Sequence, residues 1–172
     1  YYDEHTLAKL LLTYRDSFSV DDFKALTVSG LPDWYAPLIM ERGVRQFRGN
    51  CEPFVIYGIY CSRIKNYSAA VQLLEEGENC RMDARQTEYW MLQYGYALFM
   101  QGETEKALLY FNPLRQTGSS LYYRQAAQYF SAKCKLATDK VSAQNELQAL
   151  AAENNKTKYA LLATELLKQL KP

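Results

Sequence analysis

Hydrophobic residues recur along most of this chain at intervals of three and four, the spacing that brings them to one face of an α-helix. Before residue 50 this spacing predicts three helices, over residues 5–18, 21–27 and 33–47. No stretch alternates apolar and polar residues over enough length to require a sheet, and glycine and proline stand mostly where helices would begin or end. The pattern therefore predicts an all-α fold.

The second feature of the pattern is an internal repeat. A small residue is followed twelve positions later by alanine and, four positions after that, by a large apolar residue. The three small-residue pairs are Gly58 with Ala70, Gly95 with Ala107, and Ser131 with Ala143. They follow one another at intervals of about 36 residues, and a repeat of about this length is typical of stacked helical pairs. Small residues at these positions would let the paired helices pack closely.

The middle copy resembles a tetratricopeptide repeat (TPR). Residues 89–99 resemble the first helix of that family's helix-turn-helix unit, and residues 102–107 resemble its turn and the start of its second helix. The resemblance extends over residues 51–150 and implies a right-handed α-α superhelix, a solenoid of antiparallel helix pairs. Because the family repeat is about 34 residues long, we place the excess in the connectors 77–87 and 113–120, as longer loops or extra helical turns.

The resemblance suggests three parts within one continuous structural domain. Residues 1–50 would form N-terminal helices that pack on or extend the solenoid, residues 51–155 about three repeats, and residues 156–172 a capping helix. The capping helix would be amphipathic, with charged residues opposite one apolar stripe. The stripe consists of Tyr159, Leu162, Ala163, Leu166, Leu167 and Leu170.

In this family the first helix of each pair lines a concave groove that binds a protein or peptide, and helical spacing indicates which residues would point into it. The predicted partner-binding residues are Val55, Ile59, Arg63, Tyr89, Leu92, Tyr96, Phe99, Met100, Gln128 and Lys135. Aromatic residues, methionine and arginine are enriched at the centres of interfaces, which favours binding of a protein segment. The alternative is that some of these side chains pack against the N-terminal helices or the cap, or mediate self-association.

Charge and hydropathy narrow the classes of partner. Twenty lysines and arginines stand against nineteen acidic residues, with no basic stripe, so we expect no nucleic-acid partner. No apolar run reaches the roughly 18 residues of a membrane span, so we expect no direct membrane insertion. The chain begins with Tyr1 and shows no signal-peptide pattern, and we interpret it as a trimmed fragment.

Candidate chemistry is sparse in the sequence. The single histidine, His5, has no neighbouring residues at metal-ligand spacing, and no phosphate-binding, dinucleotide-binding or metalloprotease motif occurs. A nucleophile, a base and an oxyanion donor would all have to come together in an enzyme. We therefore predict no catalytic residues, no metal site and no cofactor.

Two of the four cysteines suggest a disulfide. Cys51 would open the first helix of its pair and Cys80 would lie just beyond the end of the second. Antiparallel packing returns those two ends to the same side, so the two thiols could meet. Such a bond would imply an oxidising compartment such as a bacterial periplasm, whereas the sequence otherwise favours a soluble protein of the cytoplasm.

Three functional hypotheses remain open. The first is an adaptor or scaffold whose concave groove holds a peptide or helix of a partner. The second is a chaperone of the secretion type, which would hold an unfolded cargo segment and form homodimers without it. The third is a regulatory or sensory domain of a larger transcriptional or membrane-anchored protein, which the non-Met start favours.

Overall fold

The structure is a computed structural model and describes residues 36–153 and 157–170. The helices predicted over 5–18 and 21–27, His5 and the start of the helix predicted over 33–47 lie outside these residues. Within the described ranges the chain is all-helical, with one 3₁₀ turn and no strand, which confirms the predicted all-α class. The helices are α1 Ala36–Gln46, α2 Glu52–Arg63, α3 Tyr67–Glu75, α4 Ala84–Met100, α5 Thr104–Thr117, α6 Leu121–Lys135, α7 Lys140–Ala152 and α8 Lys158–Gln169, with the 3₁₀ turn Glu76–Asn79 between α3 and α4.

Short polar side chains fix where several of these helices begin. The first backbone N–H groups of a helix lack partners within it, and a side-chain oxygen one position earlier can accept from them. Asp83 accepts from the backbone N–H of Gln86, while the Gln86 side chain accepts from that of Asp83, so α4 starts with a complete capping box. The side chains that cap α3, α6, α7 and α8 in this way are Asn66, Ser120, Asp139 and Thr157, respectively.

The helices pack in chain order. Each helix from α1 to α7 contacts the next one along the chain, and α2, α4, α6 and α8 also contact one another in sequence. One continuous hydrophobic core runs through these contacts. Its fully buried large side chains are Leu74, Leu98, Phe111, Leu114, Leu147 and Leu150.

The small residues of the repeat lie where two helices approach closely. A Cβ atom added to Gly58 would stand 2.6 Å from Cγ of Leu74, and one added to Gly95 would stand 2.7 Å from Cε1 of Phe111. Ser131 is fully buried, and its hydroxyl lies 3.4 Å from Oδ1 of Asn112. The close contacts predicted at the two glycines are confirmed.

The extra residues of the repeats form helical turns as well as loops. After α3 the chain makes the 3₁₀ turn, in which buried Gly77 lies beneath the Trp90 ring, and the Trp90 indole N–H donates to the Leu74 carbonyl at 2.8 Å. Pro113 lies inside α5, which continues for one further turn to Thr117. The sequence left open whether the extra residues form longer loops or extra helical turns, and the structure shows both.

The last described helix has the predicted apolar stripe. Tyr159 and Ala163 of α8 are buried, and the leucines of the stripe pack against the core, while Leu161 on another face is 56% exposed. Among the described helices, none combines the length and the apolar character that a membrane crossing requires.

Candidate functional site

A pocket of about 380 Å³ opens between the start of α2, the segment after the 3₁₀ turn and the start of α4. Three of the predicted partner-binding residues line it together: Val55 and Ile59 from α2, and Tyr89 from α4. The other lining residues are the apolar Ile56 and Met82, the cysteines Cys51 and Cys80, and the polar Asn50, Glu52, Arg81 and Gln86. The lining thus combines aliphatic side chains with charged and amide groups.

Local chemistry at the start of α2 positions the first wall of the pocket. The Asn50 side chain accepts a hydrogen bond from the backbone N–H of Glu52 at 3.0 Å, and Pro53 occupies the first turn, where its missing N–H costs nothing. Val55 and Ile59 are four residues apart and therefore lie on one helical face. Both are half-buried, so each presents part of its surface to the pocket.

A disulfide joins two sides of the pocket, the start of α2 and the segment after the 3₁₀ turn. Cys51 and Cys80 are bonded in the structure, with their Cα atoms 5.6 Å apart. The bond attaches the end of the 3₁₀ turn to the start of α2, and the residues that follow Cys80 pass beside α2. Arg81 and Met82 consequently become part of the pocket although they belong to a connector.

Tyr89 forms the wall on the α4 side and is 42% exposed. Burial of part of its ring raises the pKa of its hydroxyl, and the charge of nearby Arg63 acts in the opposite direction. The phenol therefore remains protonated at neutral pH and can donate a hydrogen bond.

Three tyrosines pack together at the starts of α6 and α8. The Tyr122 ring is 51% exposed, and its centroid lies 5.7 Å from that of Tyr123 and 5.4 Å from that of Tyr159. The Tyr122 and Tyr159 hydroxyl oxygens are 3.4 Å apart. Electrostatic interaction with Tyr123 and Tyr122 also raises the pKa of Tyr89.

Four of the predicted groove residues on α4 have differing environments. Leu92 is buried with 4% exposure and belongs to the core, so it presents no surface to a partner. Tyr96 and Phe99 are half-buried and pack on Phe130 of α6, with ring centroids 5.2 and 6.0 Å away. Met100 is 40% exposed at the end of α4 and does not line the pocket.

The two predicted residues on α6 face α7. The Gln128 side chain donates to the backbone carbonyl of Glu146 at 3.2 Å, and Lys135 Nζ lies 2.6 Å from Glu146 Oε1. Arg115 of α5 reaches the same carboxylate oxygen at 2.9 Å. Gln128 and Lys135 thus join α5, α6 and α7 and stand apart from the pocket.

Three arginines on the elements that form the pocket have no carboxylate partner among the described residues: Arg63, Arg81 and Arg85. Two acids close to Arg81 and Arg85 in sequence accept hydrogen bonds from other groups. Asp83 caps α4, and Glu88 accepts from the backbone N–H and the hydroxyl of Ser119, both at 2.6 Å.

The remaining cysteines are buried and are not placed for nucleophilic chemistry. Burial raises the pKa of Cys61, and it raises the pKa of Cys134 to about 11, so both thiols stay protonated at neutral pH. In the part of the chain that the structure describes, no group of three or more His, Cys, Asp or Glu side chains is placed to hold a metal ion.

Sequence reasoning did not identify Ile56, Met82, Arg81 and Gln86 as site residues. A signal for two of them was present: if Cys51 pairs with Cys80, the next residues, Arg81 and Met82, must lie beside the start of α2. Ile56 and Gln86 carried no such signal, because the pocket's outline depends on how α2 and α4 are placed relative to each other.

Comparison with family models, curated proteins and solved structures gives no significant match in any of the three.

Proposed function

We propose that this chain is a non-catalytic, TPR-like solenoid that binds a segment of another protein, and that the segment inserts an apolar side chain into the pocket between α2 and α4. The observation that carries the proposal is the pocket itself, which unites Val55, Ile59 and Tyr89 from separate helices. Its volume is within the range of about 300–1,000 Å³ typical of ligand pockets, at the small end.

The solenoid part of the proposal is supported by the order of helix contacts. Sequential helices pack as pairs, and the alternate helices α2, α4, α6 and α8 adjoin one another, as they would along the inner face of a stack of helix pairs. The close contacts at Gly58 and Gly95 recur at equivalent places in two successive pairs. Repetition of one contact along the chain is the property that distinguishes a solenoid from a bundle.

The binding part is supported by the residue types around the pocket. Tyr89 and Tyr122 are exposed aromatic rings, and Arg81, which lines the pocket together with Tyr89, is exposed. Tyrosine and arginine are the residue types most enriched at binding hot spots, because each combines a large contact area with hydrogen-bond donors. Val55 and Ile59 would supply the apolar contact within the pocket.

We further propose that the protein functions in an oxidising compartment, such as a bacterial periplasm, rather than in the cytoplasm. The support is the disulfide between Cys51 and Cys80, because cytosolic thiols are kept reduced. Loss of this bond would free Arg81 and Met82 from the start of α2 and so alter the pocket.

Peptide display tests the binding proposal. A random peptide library is selected on the wild-type chain, and each selected peptide is then titrated against Tyr89→Ser and Ile59→Ala. We expect both variants to weaken binding, the tyrosine change by at least about tenfold, since truncation of a hot-spot aromatic costs about 2 kcal/mol or more.

The matched control is Leu109→Ser, which removes an apolar side chain that is 70% exposed on α5 and does not line the pocket. It should bind the peptides as the wild type does, and circular dichroism should show all three variants to be folded. A selection whose peptides bind the Tyr89 and Ile59 variants at full affinity would refute the proposal.

A further inference from the structure

We infer that the bound segment is acidic: it carries Asp or Glu residues beside the apolar residue that enters the pocket, and these carboxylates pair with Arg63, Arg81 and Arg85. The inference rests on the proposed function and adds the chemistry of the partner. The partner's acidic residues would lie at the rim of the pocket, whereas its apolar side chain would enter the interior.

The three arginines lie on different elements that also contribute residues to the pocket. Arg81 lines it directly, next to the disulfide. Arg63 follows Ile59 by about one turn of α2 and acts electrostatically on Tyr89. Arg85 precedes Tyr89 by about one turn of α4 and acts electrostatically on Tyr123. A segment bound in the pocket would meet Arg81, and one that continued along α2 or α4 would approach Arg63 or Arg85.

These guanidinium groups are exposed, and none has an ion-pair partner among the described residues. Asp83 and Glu88 lie close in sequence to Arg81 and Arg85, but their oxygens accept hydrogen bonds from Gln86 and Ser119. The arginines can therefore bind incoming carboxylates without breaking an existing ion pair. Arginine binds a carboxylate well because its planar group can donate two parallel hydrogen bonds.

Glu52 indicates where the partner's acids would lie. Glu52 belongs to the pocket lining, and the residue is half-buried. A second carboxylate inside the pocket would meet this like charge and would lose its hydration. The apolar side chain therefore occupies the interior, and the acids remain at the exposed rim. Tyr89 and Tyr123, which stay protonated because burial raises their pKa, can donate to them as well.

A single-stranded nucleic acid is the other anionic polymer that arginine and tyrosine side chains bind. The pocket disfavours it, because Val55, Ile56 and Ile59 offer no hydrogen-bond partner to the polar edge of an inserted base. A leucine or phenylalanine side chain has no such requirement. The two partners are distinguished in the experiment below.

The test uses three displayed peptide libraries that share a randomised apolar centre and differ in their flanks, which are Asp/Glu, Asn/Gln or Lys/Arg. Fluorescent peptides from each library and a labelled oligo-dT are titrated against the wild-type chain at low and high salt. One exposed ion pair changes Kd by up to about fivefold. With two or three pairs we expect acidic peptides to bind about tenfold more tightly than neutral ones at low salt, and salt to reduce the difference.

Variants that remove one arginine charge test whether the preference for acidic peptides comes from these arginines. Arg81→Gln and Arg85→Gln should each weaken binding of the acidic peptides about threefold and weaken binding of the neutral peptides clearly less. Lys140→Gln, at the start of α7 and also exposed, is the matched control and should change neither.

The outcomes separate the two proposals. If neutral or basic peptides bind as tightly as acidic ones and still require Tyr89, the acidic-partner inference is wrong and the binding pocket stands. If none of the libraries yields a peptide that requires Tyr89, both are wrong. Binding of oligo-dT that is lost in Tyr89→Ser would overturn the inference in favour of a nucleic acid.

Discussion

Gly95 sets the distance between α4 and α5 because it has no side chain to hold them apart. The Phe111 ring occupies the space that a Cβ atom would need, at 2.7 Å from its ideal position. Phe111 is fully buried, so the ring cannot move into solvent. We therefore expect Gly95→Ala to lower the free energy of unfolding by about 1–3 kcal/mol, the usual cost of overpacking a core. Urea denaturation measures it.

Two further variants make this prediction specific. Gly49→Ala is the control, since an added Cβ would meet nothing within 4 Å there, and it should have little effect. Combining Gly95→Ala with Phe111→Leu should cost less than the sum of the single changes, because the smaller side chain vacates the contested space. Additive costs would mean that the glycine and the ring are not in contact.

The ionisation of the Tyr94 phenol makes the free energy of unfolding depend on pH in the alkaline range. Burial is the main reason its pKa is raised from 10.0 to about 12, and the nearby carboxylates of Glu75 and Glu78 act in the same direction. Between these two values the unfolded chain loses the phenol proton while the folded chain keeps it. Stability is therefore fully present below about pH 10 and falls as the pH rises towards about 12.

The measurement is the unfolding midpoint in urea at several pH values. We expect Tyr94→Phe to lose less stability than the wild type between about pH 10 and 12. Equal slopes for the two proteins would show that the Tyr94 proton is not retained on folding.

At the scale of elements, the disulfide attaches the start of α2 to the end of the 3₁₀ turn. Its cysteines are 29 positions apart, and closing a loop of this length is expected to stabilise the fold by about 3–4 kcal/mol. We predict that reduction lowers the free energy of unfolding by this amount. Cys51→Ser/Cys80→Ser should match the reduced wild type and show no response to reductant.

Mass spectrometry after alkylation provides the direct check. In denaturant, only Cys61 and Cys134 should be labelled before reduction, and all four cysteines afterwards. Labelling of all four in protein prepared under oxidising conditions would contradict the pairing.

Glu146 joins three helices through one carboxylate. Its contacts with Arg115 and Lys135 are only 18–30% exposed, so solvent screens them less than surface pairs. Glu146→Gln would leave two cations side by side with no acid between them. We expect a loss of about 1–3 kcal/mol in the free energy of unfolding.

The matched control is Glu103→Gln, which removes an exposed pair with Lys106 on α5. Exposed pairs contribute about 1 kcal/mol or less, so this variant should be nearly as stable as the wild type. Equal losses of unfolding free energy in the two variants would show that the Glu146 contacts stabilise the fold no more than an exposed ion pair does.

At the scale of the whole molecule, the sequence predicted what depends on neighbours along the chain. Helical spacing indicated the helices, and the recurrence of Gly58 and Gly95 indicated where paired helices touch, because only a small residue permits that approach. Each of these features is determined within a single helix pair and does not depend on how successive pairs are arranged.

The sequence could not predict which helical faces remain open, because that depends on how successive pairs are oriented. The same spacing rule selected Ile59, which lines the pocket, and Lys135, which is bound to Glu146. It also selected Leu92, which is buried. Met82 entered the pocket through the path of a connector, which carries no periodic signal.

The most direct test of the peptide-binding pocket is an isoleucine methyl NMR spectrum of the chain titrated with a selected peptide. The protein has four isoleucines, of which Ile56 and Ile59 line the pocket. Ile39 is buried on α1, and Ile64 lies at the end of α2. We predict that the Ile56 and Ile59 signals shift in proportion to bound peptide while the Ile39 signal stays unchanged. Peptide binding that leaves Ile56 and Ile59 unshifted would contradict the account.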